Sequence, residues 1–182
     1  MILINGKVDK RITLIRNTGD FSFYLYRPTP FRLLQHHFEK MTFSRRVRLL
    51  LEYFAKGKYN VFYLAKDGVP VGYCVVAPGN RRLKRSSAED IVLGPYFVDP
   101  AFRGKGYAKI LIGSVLHDAG LTYCYAYDYI KKDNLPSIKA SLACGFELCG
   151  ELDIEGFLHQ LIERSRGAYN IYRYSSAETS NE

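Results

Sequence analysis

The residues Arg103-Gly104-Lys105-Gly106-Tyr107-Ala108 have the types and spacing most suggestive of chemistry in this chain. Two glycines and an alanine within six positions leave the backbone N–H groups unhindered. The residues that follow place Leu111, Ile112, Val115 and Leu116 on one face at helical spacing, which predicts a helix beginning at this turn. Free N–H groups and a helix dipole then point the same way, an arrangement suited to an anion such as a pyrophosphate. The preceding run, Ile91 to Val98, reads as a strand closed by Asp99-Pro100. The motif therefore sits on a strand–turn–helix unit.

The elements that must position it are legible in outline. Ile2 to Arg16 alternates loosely, as one strand or as a hairpin bent at Gly6, and Phe21 to Tyr26 is a second apolar and aromatic run. Thr29 can cap a helix with Pro30 in its first turn and Phe31, Leu34 and Phe38 as its buried stripe. Ser44 can cap another, with Val47, Leu50, Leu51 and Phe54 on one face and Gly57 as its stop. Val61 to Ala65 and Val69 to Val76 are strands joined by the hairpin signal Lys66-Asp67-Gly68. Beyond the glycine turn and its helix, ended by Gly120, come a strand at Tyr123 to Tyr127 and a short helix opened by Asn134 and Pro136. That helix has Ile138 and Leu142 inside and Gly145 as its end. Phe146 to Ile154 and Ala168 to Tyr174 read as closing strands, with a short helix expected at Phe157 to Ile162. The expected fold is α/β of the α+β type: a mixed, mostly antiparallel central sheet flanked by helices. Residues 1–176 are expected to form one domain, with 177–182 as a polar tail.

Composition excludes several function classes. A hydrophobic fraction of 47% and a charged fraction of 24% are ordinary for a globular domain. No apolar run approaches the roughly 20 residues of a membrane span, and the amino terminus lacks the layout of a signal peptide, so the expected location is the cytoplasm. Cys74, Cys124, Cys144 and Cys149 lie in apolar surroundings without close pairing and read as buried free thiols; with His36 and His37 adjacent, no metal site is expected. The net charge of +8 raises nucleic-acid binding, but the densest basic run, Arg81 to Arg85, reads as a solvated loop, and most of the 15 Tyr and 11 Phe lie in strand-like runs. An acidic ligand or substrate accounts for the charge with fewer assumptions.

In order and motif the chain resembles the GCN5-related N-acetyltransferase (GNAT) family. Arg103 to Ala108 matches every fixed position of that family's Q/R-x-x-G-x-G/A motif, and Asn134, Ser137, Ile138 and Gly145-Phe146 are similar to its N-x-x-A/S-I…G-F segment. Together these matches cover roughly residues 61–152. The resemblance implies acetyl-CoA as co-substrate and transfer of its acetyl group to a primary amine by direct attack. The acceptor would be a small molecule by default, and the protein a monomer or homodimer. It implies that Arg103, Gly104, Lys105, Gly106, Tyr107 and Ala108 bind the CoA pyrophosphate. Phe97 and Val98 would pair with the pantetheine arm, and the sheet would splay there; Gly94-Pro95 reads either as an edge irregularity or as the bulge that splays the two strands. Asn134 would contact the pantetheine, cap its helix, or do both, with Ser137 beside it.

The catalytic assignment departs from the family pattern. A tyrosine often stands seven positions after the motif asparagine, as acid toward the departing thiolate; here that position is Ser141, read as a helix-surface serine or as the holder of a relaying water. The family's acidic base is matched by an apolar residue near Val92. Glu89 and Asp90 are the nearest carboxylates, either as a base or as solvated residues at a strand entry, and Tyr96, Tyr127 and Asp128 are further candidates. These departures leave a catalytically inactive CoA-binding sensor as the alternative. The acceptor would be chosen by Thr29 to Lys58 and Glu155 to Gly167.

Overall fold

Runs of β-branched and aromatic residues separated by tight turns build most of the architecture hairpin by hairpin. The computed structural model describes residues 3–4, 7–8, 12–30 and 42–176. Strands β1 (Leu3–Ile4) and β2 (Lys7–Val8) pair with each other, and β3 (Ile12–Thr18) turns through Gly19-Asp20 into β4 (Phe21–Tyr26). The helix expected at Thr29 to Phe38 falls largely outside the described residues. Helix α1 (Phe43–Lys56) leads to β5 (Asn60–Lys66) and β6 (Val69–Pro78). Between β5 and β6, Asp67 and Gly68 have φ of 49° and 77°, the two left-handed positions that a two-residue hairpin turn needs to match strand twist.

Strand β7 (Ile91–Val98), a single 3-10 turn at Pro100–Phe102, helix α2 (Tyr107–His117) and β8 (Tyr125–Lys131) form the crossover unit. Helix α3 (Leu135–Leu142) then precedes β9 (Glu147–Glu155), β10 (Gln160–Arg164) and β11 (Tyr169–Ser175). The nine strands lie in the order β10-β9-β11-β8-β7-β6-β5-β4-β3. Every pair is antiparallel except β7–β8. The parallel pair is where a helix must carry the chain back over the sheet. This is the mixed, mostly antiparallel α+β sheet that the sequence predicts.

The sheet buries both faces. On one, α2 inserts Leu111, Ile112 and Val115, all fully buried, against Phe62, Leu64, Cys74, Val76 and Leu93. On the other, under α1, the core is a layer of tyrosines: Tyr24, Tyr26, Tyr53, Tyr59, Tyr63 and Tyr73, with Val61 and Val75.

Several elements differ from expectation. The residues read as a helix at Phe157 to Ile162 instead form a turn and β10: Gly156 and His159 both take positive φ, and the His159 N–H donates to the Gly156 carbonyl at 3.1 Å. That reversal pairs Leu161 with Ile154 and Ile162 with Asp153. Strand β8 begins at Tyr125 rather than Tyr123, whose hydroxyl donates to the Leu116 carbonyl and anchors the end of α2. Helix α1 is capped by Thr42, which accepts from the Arg45 N–H, not by Ser44. It also presents a different face. Leu51 and Phe54 are exposed, whereas Glu52, Tyr53 and Lys56 are buried toward the sheet. The tyrosine layer and a polar pocket beneath α1 receive amphipathic side chains, so the apolar pattern misassigned the inward stripe.

Candidate active site

The glycine turn stands at the surface. Gly104 and Gly106 both have φ of 76°, a left-handed conformation that a Cβ would strain. Gly106 is the N-cap of α2, and the first bond of the helix runs from the Ile110 N–H to the Gly106 carbonyl. The N–H groups of Tyr107, Ala108 and Lys109 therefore have no acceptor within the helix. Arg103 bends back: its Nε donates to the Val98 carbonyl at 3.0 Å and its guanidinium lies over the Phe97 ring at 5.4 Å. Lys105 reaches toward the Phe102 ring. Tyr107 is buried with its ring against Phe21 and Phe102, so it offers a ligand only its backbone N–H. The turn is an exposed cradle of N–H groups with two cations beside it, and its donor set fits a pyrophosphate.

Next to the cradle the sheet opens. Strands β7 and β8 pair only at Ile91–Ala126, Val92–Tyr127 and Leu93–Asp128, and then part. The cause lies on β7. Tyr96 faces Cys74 and Leu93 faces Val76 across β6, so Gly94 and Pro95 together oppose Val75 alone. The extra residue is a bulge, with Gly94 at φ 110°, and it turns β7 away from β8. Pro95 contributes no N–H to a ladder. Phe97 and Val98 remain paired with β6 through Tyr73 and Gly72, and the β8 side of this segment is open.

Asp128 lies at the last paired position. Its side chain is fully buried, and the Ser141 hydroxyl of α3 donates to Oδ2. The Tyr96 hydroxyl donates to the Ser137 carbonyl at 3.4 Å and also reaches the carboxylate. Burial pushes the Asp128 carboxyl from an ordinary value near 3.8 up to about 7, only partly offset by the Ser141 and Tyr96 hydrogen bonds. Its Oδ1 is buried without a hydrogen-bond partner. Burial likewise raises Tyr96 and Cys74, with the Asp128 charge adding to both. Ser141, read from the sequence as a surface serine, is wholly buried, while Leu142, expected inside, is half exposed. The register of α3 on β8 decides this, bringing Ser141 over Asp128.

The structure does not bring Asp90 to this group. Its carboxylate accepts from the Ser87 N–H at 2.7 Å and from the Tyr125 N–H at 3.0 Å, so it ties the loop before β7 to the start of β8. Glu89 is exposed and accepts from the Cys124 thiol. Cys124 is itself exposed rather than buried. Asn134 caps α3, its side chain accepting from the Ser137 N–H.

On the opposite face, a cavity of about 100 Å³ opens against Gly94, Pro95 and Tyr129, beneath α1. Arg48, Glu52, Lys56, Arg82 and His159 line its polar side. Arg48, Glu52, Lys56 and His159 fall in the two segments expected to choose the acceptor, but sequence reasoning singled out none of them, and Arg82 lies outside those segments. Arg48 and Glu52 stand at i,i+4 on a helix read for its apolar stripe, and Arg82 belongs to the basic run read as solvated. In the fold, the neighbouring Leu83 is buried, and Arg85 holds Glu163 through its Nε and Nη2 at 2.8 and 2.6 Å.

A family model described as the acetyltransferase (GNAT) family matches residues 25–146. No curated protein matches the chain. Among solved structures, spermidine N-acetyltransferase from Vibrio cholerae in complex with CoA and spermine is similar with a TM-score of 0.58 and 14% identity, over 90% of this chain and 100% of that one. An acetyltransferase from Thermus thermophilus aligns with a TM-score of 0.53 and 20% identity, over 75% and 77% of the two chains. The Campylobacter jejuni N-acetyltransferase PseH in complex with acetyl coenzyme A gives 0.51 and 15%, over 74% and 79%. At these identities the likeness concerns the fold.

Proposed function

Because this chain belongs to the GNAT acetyltransferase family, we propose that it transfers an acetyl group from acetyl-CoA to a primary amine by direct attack on the thioester. The observation that carries this reading is the exposed Gly104–Gly106 cradle lying beside the parted β7 and β8. Solved neighbours with acetyl-CoA, or with CoA and spermine, support the same co-substrate and a small-molecule acceptor.

In this reading the N–H groups from Gly104 to Ala108 bind the pyrophosphate, with Arg103 and Lys105 adding charge. The open edge of β7 at Phe97 and Val98 pairs with the pantetheine arm, and Asn134 with Ser137 borders it. Backbone N–H groups of β7 hold the thioester oxygen as charge develops, an effect worth on the order of 10²–10³ in rate. The amine enters from the α1 face, opposite the α2 and α3 side. Tyr96 gives a proton to the departing thiolate, and Asp128, half-protonated near neutrality, restores it, with Ser141 fixing the carboxylate, while the proton shed by the amine nitrogen as the amide forms passes to solvent. Positioning of the two reactants supplies much of the remaining acceleration.

The test is Gly106→Glu, which places a carboxylate and a strained residue in the cradle. CoA affinity measured by calorimetry falls on the order of 100-fold, equivalent to about 2.7 kcal/mol. Unchanged affinity would refute the cradle. CoA binding by the native protein without thiol release, across a broad panel of amines, would instead identify a CoA-sensing module.

A further inference from the structure

We propose that the acceptor amine carries an anionic group, a carboxylate or a phosphate, seated in the basic pocket between α1, the loop after β6 and the turn before β10. This deepens the acetyl-transfer reading and rests on it.

The pocket lies where an acceptor must arrive. Gly94, Pro95 and Tyr129 form its wall at the point where β7 leaves β8, so a ligand there borders the opening in the sheet. Its charge is one-sided. Arg45, Arg48, Lys56 and Arg82 line it against a single carboxylate, Glu52. That carboxylate lies 3.8 Å from the Arg48 Nε and is mostly buried. A second cavity, of about 340 Å³, shares Lys56, Arg82 and Leu161 with the first and adds Arg81 and Lys84, so positive charge continues outward.

The internal hydrogen bonds do not use up the pocket's donors: the buried Nε atoms of Arg48 and Arg82 have no hydrogen-bond partner among the described residues. Lys56 donates to the Leu158 and His159 carbonyls, the latter at 2.8 Å, and so anchors the turn before β10. Arg48 Nη1 lies 3.0 Å from His159 Nε2, and a guanidinium can only donate, so the ring nitrogen accepts and the imidazole is neutral. Burial and the neighbouring Arg48 charge hold His159 below its ordinary value, in keeping with that tautomer. Arg82 has no such partner: its Nε is buried with no hydrogen bond among the described residues. A half-buried guanidinium whose Nε is cut off from solvent, set beside other cations, is costly unless an anion compensates it. Its planar fork suits a carboxylate or a phosphate. A polyamine would meet like charge in the same space.

Matched amine pairs test this with acetyl-CoA as donor and thiol release as the readout. The pairs are ethanolamine and phosphoethanolamine, putrescine and 4-aminobutyrate, and glucosamine and glucosamine 6-phosphate. The anionic member of at least one pair has a kcat/KM tenfold or more above its partner, and whether a phosphate or a carboxylate pair shows it identifies the group. Arg82→Gln lowers that preference by about 10- to 100-fold, mainly through KM, as expected for one charge-assisted hydrogen bond. Arg82→Lys, which keeps the charge, retains part of it. Neutral or cationic members equal or better in every pair, or a preference untouched in Arg82→Gln, would overturn the proposal. Calorimetry with phosphoethanolamine and 4-aminobutyrate on the CoA-saturated protein separates the two readings. Binding that Arg82→Gln abolishes supports the anionic acceptor even without turnover. CoA binding with no anionic preference in any pair and no affinity for phosphoethanolamine, 4-aminobutyrate or glucosamine 6-phosphate overturns the acceptor class alone, whereas failure to bind CoA overturns acetyl transfer and this inference with it.

Discussion

Replacing Asp128 by Asn should change how stability depends on pH. In the folded protein the Asp128 carboxyl titrates near 7 because it is fully buried, while in the unfolded chain it titrates near its ordinary value of 3.8. Between those values the folded protein holds a proton that the unfolded chain has released. Stability therefore falls as pH rises through this window and levels off above about 7. At about 1.4 kcal/mol per pH unit, the full effect is about 4 kcal/mol, of which about 2.5 kcal/mol develops between pH 5 and pH 8. Asn keeps the shape and has no charge to bury. Urea denaturation of both proteins at pH 5, 6, 7 and 8 gives the difference directly. Relative to Asp128→Asn, the native protein loses about 2 kcal/mol or more across that range. Parallel curves would mean that the carboxyl is already ionised in the fold near pH 5, and would remove Asp128 as a proton store for Tyr96. The same variant loses the limb of the rate profile near pH 7 if Asp128 serves the departing thiolate.

Two further predictions concern the scaffold around the site. Arg85→Ala removes a guanidinium that makes two bonds to Glu163 and one, from Nη1, to the Cys149 carbonyl; discounted for its partial exposure, the loss is about 1–2 kcal/mol by urea denaturation. Arg85 holds the Glu163 carboxyl below its ordinary value. The contribution is therefore present above pH 4.5 and fades as pH falls through the lowered value, so the two proteins converge in acid. Gly68→Val puts a β-branched residue at φ 77° in the β5–β6 turn, where no neighbouring atom obstructs the side chain. Backbone strain alone costs about 1–2 kcal/mol, seen as a drop of about 2–8 °C in Tm. An unchanged Tm would mean that this turn adjusts its backbone without cost.

Local signals were legible wherever the chain's own neighbours decide conformation. Asp67-Gly68 specifies its turn because only certain residues tolerate left-handed φ, and Gly104 to Ala108 specifies a helix entry with free N–H groups for the same reason. Gly94-Pro95 marks the bulge, since one residue permits the unusual φ and the other cannot join a ladder. Phe21 to Tyr26 and Ile91 to Val98 coincide with β4 and β7 because their apolar and aromatic content matches a pleated, at least half-buried surface.

What the sequence determined by itself was therefore the sheet class, the glycine cradle and the place where two strands part. Tertiary structure alone decided which side chains meet there. Ser141 and Asp128 are thirteen residues apart and join only because α3 crosses β8 in one register. Asp90, attractive as a nearby carboxylate, is turned to backbone N–H groups that the loop and β8 bring to it. The basic pocket collects α1, the loop after β6 and the turn before β10 from three distant parts of the chain. A titrating or charged group takes its chemistry from burial and from neighbours across the fold, and no short-range pattern carries that information.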